Sequence, residues 1–106
     1  MEPRQLLVEI RAALETRYGD RLHRVLLFGS LARGDETPDS DIDLLVVLSA
    51  PLAEAGETRG VVDAVYPLLQ ARGVFRPLHI VVAEARDYEA GLIELYRNVQ
   101  REGIAA

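Results

Sequence analysis

The chain has 106 residues, 49% of them hydrophobic, no cysteine and a formal net charge of −5. That length and apolar content describe a single domain, 1–106, with a modest core, and exclude intrinsic disorder, disulfides and thiolate metal sites. The acidic balance argues against direct DNA binding; no apolar run nears the ~20 residues that cross a bilayer, and no basic-then-apolar leader opens the chain, so a cytoplasmic protein without membrane association is expected.

Residues 3–18 are predicted to form an amphipathic helix. Leu6, Leu7, Ile10, Leu14 and Tyr18 recur at helical spacing, Pro3 suits the first turn, and Gly19 suits the stop. Residues 24–28 read as a strand, Gly29-Ser30 as a turn, and Leu31 to Gly34 as a short helical turn. Residues 35–39 form a solvated loop that Ser40 closes. Residues 41–48 make a second strand. Alternation puts Asp41, Asp43, Leu45 and Val47 on one face, and Ile42, Leu44, Val46 and Leu48 on the other. The second set is wholly apolar and should meet a helix layer.

After a loop over 49–57, Thr58 to Arg72 repeat Val61, Val62, Val65, Leu68 and Leu69 at helical spacing. Pro67 is expected to kink or interrupt this helix, and Gly73 to end it. Residues 74–83 read as a third strand, with Pro77 at an edge or early position. From Glu84 or Arg86 a last helix follows, striped by Leu92, Leu95, Tyr96 and Val99 and stopped by Gly103. The order α-β-(short α)-β-α-β-α gives a small two-layer α/β or α+β domain.

The chemistry concentrates around the second strand. Asp41 and Asp43 are two residues apart and so lean from one face. Two bare carboxylates that close repel unless a cation compensates. Mg²⁺ suits such a pair, since it takes one or two carboxylates together with phosphate oxygens. Gly29 lets backbone N–H groups approach a phosphate, and Ser30 offers a hydroxyl that can donate to it. Arg33 has two readings: it reaches a triphosphate, or it pairs with Asp35, Asp39 or a carbonyl and braces the loop. The chain has twelve arginines and no lysine, which excludes a Walker-type P-loop. His23 reads as an ordinary loop histidine.

Phe28-Gly29-Ser30-Leu31-Ala32-Arg33-Gly34, followed after five residues by Ser40-Asp41-Ile42-Asp43-Leu44, resembles the signature of the DNA polymerase β-like nucleotidyltransferases. The closest form is that of the minimal nucleotidyltransferases, short prokaryotic proteins often paired with a helical HEPN protein. The resemblance is strong over residues 25–48. It implies a polymerase β-like core, a small mixed sheet with helices packed against it. It also implies Mg²⁺-dependent adenylyl transfer from ATP to a hydroxyl, with a tyrosine of a HEPN-domain partner as acceptor and this chain as antitoxin. In that pattern Asp41 and Asp43 hold the metal, and Gly29, Ser30 and Arg33 bind the nucleotide. A third carboxylate belongs on the third strand, where this chain has His79. His79 either replaces it as the base or is structural, and the alternative function is a module of weak or no activity that neutralises a HEPN partner by contact. The domains with which larger relatives hold primers, tRNA or antibiotics are not expected here, and homo-oligomerisation stays open.

Overall fold

A computed structural model describes residues 2–106. Helix α1, Pro3–Tyr18, is capped by the Glu2 side chain, which accepts from the Arg4 N–H at 2.8 Å. Gly19 ends it with φ 55°. A single 3₁₀ turn, Gly19–Arg21, leads into β1, Leu22–Phe28. There follow α2 (Gly29–Arg33), β2 (Ile42–Leu48), α3 (Thr58–Ala71), β3 (Leu78–Glu84), α4 (Ala85–Glu89), α5 (Glu94–Glu102) and β4 (Ile104–Ala105).

The strands form one mixed sheet in the order β3-β2-β1-β4; β2 and β3 run parallel, and the other pairs are antiparallel. One face is the main core. Ile42, Leu44, Val46 and Leu48, with Val25 and Leu27 of β1, pack against Leu6, Leu7, Ile10 and Leu14 of α1 and Val61, Val65 and Leu69 of α3. This is the helix layer expected from the apolar face of the second strand. The opposite face carries a smaller cluster, Leu26, Leu45, Val47 and Ala83 under Tyr88 of α4 and Val99 of α5. Among the described residues no helix is long and apolar enough to cross a membrane.

Several boundaries differ from the sequence expectation. The first strand begins at Leu22, not at residue 24, because a bulge at His23 lets Leu22 and Val25 both face the main core. Gly29 and Ser30 open α2 rather than forming a turn before it. Helix α3 runs through Pro67 without interruption. Pro67 is exposed, so the Asp63 carbonyl it deprives of a donor is left to water. The third strand starts at Leu78, since Pro77 brings no N–H to a ladder; its carbonyl instead accepts from Ile42 N–H at 2.8 Å. The expected last helix is two helices. Gly91, at φ 61°, ends α4 in a left-handed cap, with Gly91 N–H donating to the Tyr88 carbonyl and Leu92 N–H to that of Asp87. Leu92 is therefore exposed, off the stripe it was expected to join.

Candidate functional site

The register of the sheet assembles a row of three side chains. Phe28, the last residue of β1, pairs with Asp43 of β2, and Asp43 pairs in parallel register with His79 of β3. Strand alternation turns all three to the face that carries the smaller cluster. His79 Nδ1 lies 2.9 Å from Asp43 Oδ1. The Phe28 ring stands edge-on to the His79 imidazole, 6.1 Å between centroids. A carboxylate only accepts, so in this hydrogen bond Nδ1 carries a proton and donates it, which turns Nε2 away from Asp43. The His79 side chain is 55% exposed and that of Asp43 18%, so the imidazole is open to a ligand while the carboxylate is held from behind.

What holds it is Gly29. The residue has φ +72°, and a Cβ built there would lie 2.1 Å from Asp43 Oδ2. The backbone bend and the carboxylate can share this space only because position 29 has no side chain. Ser30 follows as the second residue of α2 and is half-buried. Helix α2 closes on Gly34 at φ 79°, whose N–H donates to the Ser30 carbonyl. The loop beyond it is tied by Thr37 N–H donating to Ser40 Oγ at 2.8 Å, the closure expected of Ser40.

The structure thus brings Gly29, Asp43 and His79 into contact, with Ser30 adjoining. Asp41 is exposed and stands one residue ahead of β2, not within it as expected. Arg33 takes the bracing alternative: its Nε donates to Asp35 Oδ2 at 3.3 Å in an exposed pair. Such pairs contribute about 0–1 kcal/mol, so a phosphate can displace Asp35 from it. Phe28 joins this row although spacing marks it only as the end of a strand; its place next to Gly29 puts it beside whatever Gly29 meets. Burial raises the Tyr88 and Tyr96 hydroxyls, and Arg21 hydrogen-bonding lowers the Glu57 carboxyl.

Among the described residues no three His, Cys, Asp or Glu side chains gather closely enough to hold a metal ion. Asp43, partly exposed, and Asp41, exposed ahead of the strand, are hard oxygen donors of the kind Mg²⁺ takes together with water and phosphate oxygens.

A mixed sheet with a glycine–serine bend at the end of one strand and a carboxylate pressed against it on the next is the core of a nucleotidyltransferase-type domain. The chain belongs to that family: the family model described as "Nucleotidyltransferase domain" matches residues 7–99. A structure described as "putative minimal nucleotidyltransferase" superposes with a TM-score of 0.62 at 27% identity, covering 98% of this chain and 95% of that one. A Methanocaldococcus jannaschii protein named "Putative protein adenylyltransferase MJ0604" is 45% identical over 47 residues, 44% of this chain and 47% of the relative. The matched segment thus spans about half the length of that curated relative. A crystal structure described as "the toxin-antitoxin with AMP-PNP" shares the fold, with a TM-score of 0.57 at 20% identity over 92% of this chain and 69% of that one.

Proposed function

We propose that this chain transfers an adenylyl group from ATP to a protein hydroxyl, as the antitoxin of a toxin–antitoxin pair whose toxin is a HEPN-domain protein. The observation that carries this reading is the contact set of Gly29, Asp43 and His79 at the end of a half-covered sheet face. The relative named as a putative protein adenylyltransferase and the neighbour named as a toxin–antitoxin with AMP-PNP support an adenine nucleotide as donor and a toxin as partner; the HEPN identity rests on the family resemblance.

In this reading Asp41 and Asp43 hold Mg²⁺, which when bound neutralises the charge that develops on the phosphates. Gly29 and Ser30 seat the terminal phosphates, and Arg33 exchanges Asp35 for a phosphate oxygen. His79 Nε2 takes the proton of the acceptor hydroxyl, with Asp43 fixing the ring through Nδ1. The hydroxyl oxygen bonds to the α-phosphorus, the bond from that phosphorus to the pyrophosphate oxygen breaks, and pyrophosphate leaves.

Titration calorimetry with ATP and Mg²⁺ tests the site: the double variant Asp41→Asn, Asp43→Asn should lose metal-dependent binding, and unchanged affinity would overturn the assignment. Labelled ATP with a HEPN-domain partner tests the reaction. His79→Gln should keep nucleotide binding and lose about 10²–10⁴ of the transfer rate, the usual worth of a general base. One observation favours a second reading, neutralisation by contact: position 79 carries an imidazole where the family pattern has a third carboxylate, and among the described residues no three His, Cys, Asp or Glu side chains gather to hold a metal ion. An unlabelled partner whose toxicity is nonetheless suppressed would select it.

A further inference from the structure

Strand β3 is one edge of the sheet, and its outer side meets no other strand among the described residues. It pairs with β2 along its whole length without a register shift. The Pro77 carbonyl accepts from Ile42 N–H. In a parallel ladder the inward groups come from alternate residues, so His79, Val81 and Ala83 turn theirs to β2 as well. The N–H and C=O groups of Leu78, Ile80 and Val82 therefore point outward. Long edges are usually blunted by a lysine, an internal proline or a bulge. The run from Leu78 to Ala83 has none of these. Leu78, Ile80, Val81 and Val82 stay half-exposed, whereas every apolar residue of β2 is buried.

Two charges frame this edge. Arg76 lines a cavity of about 310 Å³ with Leu78 and with Tyr66 of α3, so it stands on the helix-covered side of the sheet. Its Nη1 is shut off from water without an acceptor, the one side-chain polar atom in that state among the described residues. Glu84 ends the strand and by alternation falls on the same side as Leu78, Ile80 and Val82. It is half-buried, and among the described residues neither Arg76 nor Glu84 forms an ion pair. A guanidinium held partly out of water is costly until a partner reaches it.

We infer that two copies of this chain join through β3, antiparallel about a twofold axis at Ile80, into one continuous sheet. Register and charge select the second copy as occupant of the edge. The twofold sets Ile80 against Ile80, Leu78 against Val82, and Arg76 against Glu84 of the second copy. Leu78, Ile80 and Val82 are the outward-facing residues, so each of their facing pairs exchanges N–H and C=O bonds. Symmetry makes every contact twice, and an Arg76–Glu84 pair closes each end of the junction. Sliding the strands by two residues sets Arg76 against Val82, where it has no partner, or against Arg86, which repels it. Exposed Tyr66 and Phe75 border the Arg76 cavity and add apolar area beside each pair. The axis runs normal to the sheet, so both open faces lie on one side. Val81 of the second copy then stands across from His79 and walls one flank of the Asp43–His79 pair. The junction itself does not depend on the nucleotide reading.

Sedimentation equilibrium of the full chain over a concentration series tests this, and wild type should reach the mass of two chains. Arg76→Glu and Glu84→Arg should each weaken the dimer about tenfold or more, since each puts two like-charge pairs into the junction. The double variant Arg76→Glu, Glu84→Arg reverses both ends and should recover it. Hydrogen exchange reads the edge directly. The amides of Leu78, Ile80 and Val82 should be protected in the dimer and exchange rapidly in either single variant. The His79 amide, turned to β2, should stay protected in all of them and so reports that the fold is intact. A wild type that stays monomeric overturns the inference. So does a dimer indifferent to the single reversals, or one whose three edge amides exchange freely. A double variant no tighter than the singles overturns the pairing of Arg76 with Glu84.

Discussion

On the face of the sheet covered by α1 and α3, Ile42, Leu44, Val46 and Leu48 are all completely buried. On the opposite face the same strand begins with Asp43 and only then becomes apolar, with Leu45 and Val47 under α4 and α5. The two faces share one backbone, yet the first is closed along its whole length and the second along part of it. A carboxylate deep in the first face would lack both water and a partner, at a cost of several kcal/mol. On the second it keeps 18% of its side-chain surface and gains an imidazole. In the proposed reading, chemistry is located where helices leave the sheet bare, and stability where they do not.

The sharpest way to break this comparison is to exchange what is removed from each face. Leu44→Ala opens a cavity in the closed face and should destabilise the fold by about 2–5 kcal/mol. Asp43→Asn, one residue away on the open face, should change stability by about 1 kcal/mol or less, since a partly exposed pair is screened by water. Urea denaturation of both variants measures the difference. Equal losses would mean that Asp43 is a structural residue and the open face is not free to do chemistry.

Gly29→Ala is the next largest effect and acts where the two faces meet the bend. A methyl there needs a left-handed backbone, at about 1–2 kcal/mol, and occupies the place of Asp43 Oδ2. The carboxylate must swing away, so Mg²⁺-dependent ATP binding should fall at least tenfold while the circular dichroism spectrum of the fold persists. Retained binding would show that Asp43 does not need its present position.

How far these features could be read from the sequence depends on how local their causes are. The alternation over 42–48 is local, so the burial of Ile42 and Leu44 and the direction of Asp43 follow from spacing, while the same spacing puts Asp41 in a strand that begins one residue later. The family pattern placed His79 at the third-strand position, and the parallel register pairs that residue with Asp43. The misjudged boundaries have tertiary causes. Val74 and Phe75 are good strand formers, but the ladder cannot use them ahead of Pro77. The two residues of β4 are too few to signal a strand; they exist because α5 returns the chain to Leu26 and Leu27 of β1. That return also brings Asn98 and Glu102 to Phe28, a proximity no spacing reveals. The division between α4 and α5 has a local cause: Gly91 is a helix stop of the same kind as Gly73, set inside an apolar stripe that masks it.

The smallest expected effect concerns the end of β2 remote from Asp43. Arg21 Nη2 donates to Glu57 Oε2 at 2.7 Å and to the Pro51 carbonyl at 3.2 Å, and Ala53 N–H donates to the same carboxylate at 3.1 Å. These bonds pin the loop that leads into α3, and so the cover of the closed face. The Arg21 hydrogen bond holds the Glu57 carboxyl below its ordinary value against the opposing effect of burial. A depressed carboxyl contributes stability that is complete above its unfolded-state value and lost as the pH falls through the lower folded-state value. Glu57→Gln should therefore be less stable than wild type at neutral pH, by about 1 kcal/mol or less for a pair whose arginine stays largely exposed. The gap should close as acid protonates Glu57 in the wild type. Urea midpoints of both proteins from neutral pH down into the acid range would show the curves converging; a constant separation would mean that Glu57 acts by shape and not by charge. ATP binding should be the same in both, because nothing in this cluster reaches the open face.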